Sequence, residues 1–183
     1  MGLNKQRAGK MKEKILEEMM KNEGKKVFNM ILRMVRQRQE AEDLLQEVFT
    51  AFYNNLEKVQ PPARKSYLYR IAYNKTLNQI KTRQRDLKFM LGQFNQPELA
   101  EEIDAKQRNM MIRDSLALLK PQDALLIELQ YYQKKSYREI AEITGHSESS
   151  VDSRLVRAKR KMRQILERKG INNLQDKQLV AVL

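Results

Sequence analysis

Apolar residues recur along most of this chain three and four positions apart, the period of an α-helix with one buried side. Val27, Ile31, Met34 and Val35 form one such seam, and Leu45, Val48, Phe49, Phe52 and Leu56 form a second, which predicts two packed helices. Gln60, Pro61, Pro62 and Ala63 interrupt the pattern, because proline lacks an amide donor and restrains the residue before it. A long helix is predicted over residues 64–85. Residues 86–106 lose the periodicity, carry Gly92 and Pro97 as breakers, and turn acidic at Glu98, Glu101, Glu102 and Asp104. Helical pattern resumes with Met110, Met111, Ile112, Leu116, Leu118 and Leu119, breaks before Pro121, and restarts with Ala124, Leu125, Ile127, Leu129 and Tyr132.

The strongest pattern lies in residues 135–168. Ser136 and Glu139 have the spacing of a capping box, and Tyr137, Ile140, Ala141 and Ile143 give the first helix its buried side. Gly145 supplies a turn. Val151, Leu155, Ala158, Met162 and Ile165 then run down one side of a second helix, leaving Ser149, Asp152, Ser153, Arg157, Arg160 and Lys161 in water. A small residue, Ala141, four positions before that glycine permits close helix crossing, so the pair matches a helix-turn-helix. The alternative is an αα-hairpin packed on protein, its basic residues a solvated face.

These elements predict an all-α fold of two small helical domains joined by a flexible linker. Residues 27–88 make the first domain, 89–106 the linker, 107–170 the second domain and 171–183 a tail. Residues 1–26 are Lys-rich. Met11, Ile15 and Met19 there suit a short amphipathic helix, but the expectation is a frayed terminal arm. The apolar cluster at 179–183 either packs back on the second domain or serves as an interaction segment.

Charge narrows the function. A net charge of +13 over 183 residues favours a polyanionic partner through counterion release. No apolar run approaches a membrane span and the first residues lack the apolar core of a signal peptide, so a cytoplasmic protein is expected, with no membrane insertion. With Cys absent and His146 the only histidine, neither thiol chemistry nor a metal site is expected, and no cofactor. A nucleic-acid-processing enzyme is disfavoured on the same grounds.

Two segments depart from the average in opposite directions. Residues 40–57 hold Glu40, Glu42, Asp43, Glu47 and Glu57 and no Lys or Arg. Asp43, Gln46 and Glu47, away from the apolar seam, suit a docking surface for a basic protein; acids favoured at a helix N-terminus are the alternative. Residues 64–85 contain no acid and interleave Tyr67, Tyr69 and Tyr73 with Arg64, Lys65, Arg70, Lys75, Lys81, Arg83 and Arg85. Cations that track a phosphate backbone beside aromatic platforms suit a single strand, although at least one tyrosine belongs in the core.

In this order, the motifs resemble the bacterial sigma factors of RNA polymerase, specifically the two-domain extracytoplasmic-function group. AEDLLQEVFTAFYNNL, from Ala41, looks like the sigma-2 helix that binds the clamp helices of the polymerase β′ subunit. SYLYRIAYNKTLNQIK, from Ser66, is similar to the part that recognises and melts the minus-10 element. The segment from Leu116 to the second helix of the helix-turn-helix looks like sigma-4, which reads the minus-35 element and docks on the β flap. The resemblance covers residues 27–168. It implies a transcription initiation factor, not an enzyme, with core RNA polymerase and promoter DNA as partners, and an anti-sigma factor as a candidate regulator. It also implies a linker that runs through the polymerase channels.

The implied core-polymerase contacts are Asp43, Gln46, Glu47 and Phe49. Those to the minus-10 strand are Arg64, Lys65, Tyr67, Tyr69, Arg70, Asn74, Lys75 and Lys81. Those to the minus-35 duplex are Ser149, Asp152, Ser153, Val156 and Arg157 at base edges, with Lys135, Arg138, Arg154 and Lys161 on phosphates. A conventional dimeric helix-turn-helix regulator is the alternative; it explains residues 135–168 and leaves the acidic and tyrosine-rich helices without a role. The chain departs from the family pattern at Tyr67, where Trp is usual, at Asn78, where Asp is common, and in the short loop at 59–65 with its two prolines. Asp152 stands where a basic residue is common, and a carboxylate accepts from cytosine N4 in the major groove; an intrahelical pair is the alternative. Cytosine is therefore predicted at the contacted base, checked by a substitution series at that base in duplex binding. Equal base preference for wild type and Asp152→Ala would remove the assignment.

Overall fold

The computed structural model describes residues 2–91 and 114–168, with side chains described over 9–85 and 114–168. The segments 92–113 and 169–183, which include most of the expected linker, the helix start at Met110, Met111 and Ile112, and the tail, lie outside the described residues. Every regular element among the described residues is helical. The chain divides into two compact units, 1–76 with 142–144 and 77–141 with 145–183, so that the long helix Arg64–Leu91 begins in the first and ends in the second.

The first unit begins with α1, Gly2–Val35, which packs on α2, Arg38–Asn55. The connection is a single tight turn in which Arg36 takes a left-handed conformation, φ 65°, and its amide bonds Leu32 O at 2.9 Å. The expected frayed arm is thus corrected. Residues before Val27 continue the same helix, and Lys12 reaches Glu57 at 3.2 Å while lying over the Tyr53 ring. These contacts tie α1 at Lys12 to the end of α2 and the turn that follows it.

Val27, Met30, Ile31 and Val35 are buried on α1, and Ala41, Leu44, Val48, Phe49 and Phe52 on α2. The expected seams shift at two places: Met30 is buried rather than Met34, about 40° away round the helix, and Leu44 rather than Leu45, about 100° away, which leaves Met34 and Leu45 half-buried. Adjacent apolar residues offer a helix two packing faces, and the facing helix selects one. After α2, a turn of 3₁₀ helix at Leu56–Lys58 and another at Pro61–Ala63 lead into α3, Arg64–Leu91. The prolines sit at the start of the second turn, where a missing amide donor costs no hydrogen bond. Leu68, Tyr69, Ala72, Tyr73, Thr76 and Leu77 form the buried side of α3.

Glu23 is buried among these helices at 5% exposure. Its carboxylate accepts from the Tyr69 hydroxyl at 2.9 Å and meets Lys65 at 3.0 Å and Lys26 at 3.3 Å. Burial alone pushes this carboxyl up, but the hydrogen bonds from Lys65, Tyr69 and Lys26 outweigh it and hold the group below its ordinary range.

In the second unit a helical turn at residues 114–117 precedes α4, Pro121–Ile127, which runs on into a π-helical turn, Glu128–Tyr132. Ala124 through Leu129 are buried without a break, because α4 is the central strut of its unit. That run includes Glu128, whose Oε1 accepts from Gln133 Nε2 at 3.0 Å. The helix-turn-helix follows as α5, Tyr137–Thr144, and α6, Glu148–Arg168, with α4 packed on α6.

Two backbone positions here take the left-handed conformation that favours glycine, and only one of them holds it. Lys134 holds a left-handed φ of 52°, and Gly145 holds one of 74° with open space around its absent Cβ. Lys134→Gly is expected to gain about 1 kcal/mol and Gly145→Ala to lose about as much, both read from chemical denaturation. A second expectation concerns Glu23. Because its folded-state pKa is depressed, its stabilisation is fully present above the ordinary carboxylate range and is lost as pH falls through the lower native value. The stability gap between wild type and Glu23→Gln should therefore be constant near neutrality and close in acid, as followed by denaturant melts across pH.

Candidate nucleic-acid interface

Local chemistry sets the geometry of α5 and α6. The Ser136 hydroxyl accepts from Glu139 N at 3.2 Å, and Glu139 Oε2 accepts from Ser136 N at 2.9 Å, so the predicted capping box closes in both directions. Lys135 reaches the other oxygen of the same carboxylate at 3.2 Å. Burial raises the Glu139 carboxyl, and the Ser136 amide, its hydroxyl and Lys135 together bring it below its ordinary value. Gly145 ends α5 in the left-handed conformation and donates to Ala141 O at 2.9 Å. The next helix starts immediately, with Ser150 N donating to the Ser147 hydroxyl at 3.2 Å. His146 lies in this turn. Desolvation, and then the charge of Arg154, push its pKa down, which keeps the imidazole neutral near pH 7.

Val151, Leu155, Ala158, Met162 and Leu166 are the buried stripe of α6. Leu166 takes the place expected for Ile165, which is half-buried. The opposite side presents Ser149, Asp152, Ser153, Val156, Arg157 and Lys161, all exposed, in steps of three and four that define one face. Val156 is 53% exposed, an apolar side chain left in solvent in the middle of a polar face. Arg157 is exposed and donates through Nε to Ser153 O at 3.2 Å. Ser149 shares a hydrogen bond with Ser147 at 3.1 Å. Among the remaining predicted contacts, Arg138 is exposed and Arg154 half-buried, whereas Lys135 is buried against Glu139. Burial removes Lys135 from the phosphate-facing set.

On the first unit, Asp43, Gln46 and Glu47 are exposed together on α2, as expected for a polar docking face. Asp43 accepts from Gln39 at 3.1 Å, and Arg38 pairs with Glu42 at 2.8 Å. Phe49 does not join them. At 6% exposure it belongs to the core beneath the face, because it shares the stripe of Val48 and Phe52.

The α3 residues separate in the same way. Arg70, Asn74 and Lys81 are exposed, Tyr67 is half-buried with its ring 6.4 Å from that of Phe52, and Arg64 is half-buried. Lys75 pairs with Glu47 at 2.6 Å, so the acidic face of α2 and the basic face of α3 meet along one edge. Tyr69, at 1% exposure, and Tyr73 are core residues, and Tyr69 is thereby corrected as a strand contact. Lys65 is exposed but its ammonium lies on Glu23.

Glu23 is the residue that sequence reasoning missed. It stands four positions before Val27, in register with the buried stripe of α1, and a carboxylate in such a register is a signal of a buried polar contact. Among the described residues no cluster of three or more His, Asp or Glu side chains is placed to hold a metal ion. No described helix is long and apolar enough to cross a membrane.

Comparison with known proteins matches both units. A model described as Sigma-70 region 2 matches residues 19–86, and one described as Sigma-70, region 4 matches residues 109–162. RNA polymerase sigma factor YlaC of Bacillus subtilis is 27% identical over 156 residues, spanning 79% of this chain and 87% of that protein. ECF RNA polymerase sigma factor SigL of Mycobacterium tuberculosis is 29% identical over 145 residues, spanning 76% of this chain and 82% of that protein. In fold, the chain is similar to the sigma factor RpoE from Bartonella quintana, solved in complex with the anti-sigma factor NepR. The TM-score is 0.65 at 19% identity, covering 84% of this chain and 98% of that one.

Proposed function

Because the chain belongs to the sigma-70 family of RNA polymerase sigma factors, in its extracytoplasmic-function group, we propose how its own residues divide the work of initiation. As a sigma factor it binds core RNA polymerase and directs it to promoters. The assignment of residues rests on one observation: burial of the apolar stripes leaves three exposed faces of different chemistry on α2, α3 and α6.

Asp43, Gln46 and Glu47 on α2 dock on a basic groove of the polymerase clamp, with Phe49 supporting them from inside. Tyr67, Arg70, Asn74, Lys75 and Lys81 face the separated non-template strand at minus-10, and Arg64 flanks them. Melting then becomes binding, since stacking and phosphate contacts to the captured strand offset the lost base pairs. On α6, Ser149, Asp152, Ser153, Val156 and Arg157 read the major groove at minus-35, while Arg138, Arg154 and Lys161 position the duplex through phosphates. The exposed Val156 suits a thymine methyl.

The protein works in the cytoplasm, with no catalytic chemistry of its own. The core-binding and minus-10 functions fall to the region up to residue 88, residues 89–106 serve as the linker, and residues 107–170 carry the minus-35 function ahead of a tail at 171–183. An anti-sigma protein that covers these faces is the proposed regulator. A dimeric duplex-binding regulator accounts for α5 and α6 alone and gives the faces of α2 and α3 no role.

The test is run-off transcription from a library of promoter-like duplexes with purified core polymerase. New start sites are expected only when the protein is added. Arg157→Ala should reduce output from templates bearing the selected upstream element by about tenfold, the value of one good base contact. A specific gel shift of duplex without polymerase, and no new transcripts, would replace this reading with the dimeric regulator.

A further inference from the structure

The Glu23 cluster has a role that neither the exposed faces nor the helix-turn-helix supplies. Its carboxylate is buried and takes one hydroxyl and two ammonium groups, from Tyr69, Lys65 and Lys26. Lys65 and Tyr69 are one turn apart on α3, so both project toward α1 from the same side of the helix. Arg70, Asn74 and Lys81 follow Tyr67 at three, seven and fourteen positions, along a different side. Fixing the Lys65 and Tyr69 side against Glu23 therefore fixes the rotation at which the other side meets solvent.

Burial also settles a competition for Lys65. The Lys65 side chain is 50% exposed, and on a solvent-exposed partner such a pair contributes little and exchanges freely. Glu23 is different. Its side chain is 7% exposed, and a buried carboxylate stripped of its nearest cation has no water to replace it. Lys26 is a poorer substitute, at 3.3 Å from the same oxygen and 56% exposed. The ammonium of Lys65 is thus held by the protein interior although it looks, from the sequence, like one more phosphate contact.

We infer that Glu23 is a positioning residue for α3, an internal counter-charge that sets the rotation of this helix and withholds Lys65 from the nucleic-acid backbone. The inference rests on the reading of α3 as the strand-facing helix. It makes Glu23 a determinant of how many phosphates the protein engages, which a purely structural residue would not be.

The experiment uses holoenzyme assembled from core polymerase and the full chain, with fluorescein-labelled oligo-dT as the probe, and follows affinity against salt. Lys65→Ala alone is expected to leave the salt slope of wild type unchanged. Glu23→Gln frees the ammonium and should steepen the slope by about 0.7, the increment of one phosphate contact on a single strand. Adding Lys65→Ala to Glu23→Gln should return it to the wild-type value. Tyr69→Phe, which keeps the ion pair, should lower the melting temperature without moving the slope. A slope flattened by Lys65→Ala alone, or a Glu23→Gln variant that loses stability with an unchanged slope, overturns the inference. If Glu23→Gln does not assemble, Lys65→Ala in the wild-type chain decides by itself. Lys81→Ala separates the two layers of argument: it should flatten the slope, and if it does not, α3 is not the strand-facing helix and both readings fall.

Discussion

The long helices α1, α2, α3 and α6 each carry one apolar stripe, and burying that stripe dictates which side chains meet the solvent. The constraint is severe because the units are small. With few helices apiece, the groups that each described helix buries, apolar or paired, settle its rotation about its axis. Val151, Leu155, Ala158, Met162 and Leu166 put Asp152, Val156 and Arg157 outside. Ala41, Leu44, Val48 and Phe52 do the same for Asp43 and Glu47. Function here is the complement of packing.

Stripes orient helices, but turns and caps decide where each begins. The reciprocal bonds of Ser136 and Glu139, the left-handed Gly145 and the Ser147 hydroxyl under Ser150 fix the crossing of α5 and α6 within a few residues. Each satisfies a backbone group that the helix ends leave open. The same need is met with less suitable residues at Arg36 and Lys134, which adopt left-handed conformations despite their side chains. Their neighbours impose this geometry: Arg36 N reaches Leu32 O, and Lys135 N reaches Leu129 O at 3.0 Å.

Charge is organised on top of this frame. The surplus of +13 is not uniform, since α2 presents Asp43 and Glu47 to solvent while α3 and α6 carry many of the cations. A uniformly basic protein would be drawn to any polyanion and repelled by a basic protein surface. Under the proposed assignment of faces, segregation lets a sigma factor address a polymerase and a promoter separately. Where acid and base do meet, exposure separates their roles. Glu47 with Lys75 is a surface pair that partners can exchange, and Glu23 with Lys65 is a pair that a buried oxygen keeps.

The all-helical class, the break at Pro61 and Pro62, the helix-turn-helix with its cap and turn, and the family were all legible in the residues, because periodicity, proline and glycine act locally. The polar faces were legible for the same reason. Choices between neighbours were not. Whether Met30 or Met34 is buried, and Leu44 or Leu45, depends on the helix across the interface. So does the fate of Tyr69, Phe49 and Lys135, whose types suit a binding face as well as a core. Glu23 shows the limit most clearly. Its register on α1 is written in the sequence, but the Tyr69 hydroxyl that makes a buried carboxylate tolerable lies 46 residues away, and only the packing of α3 on α1 brings the two within 2.9 Å.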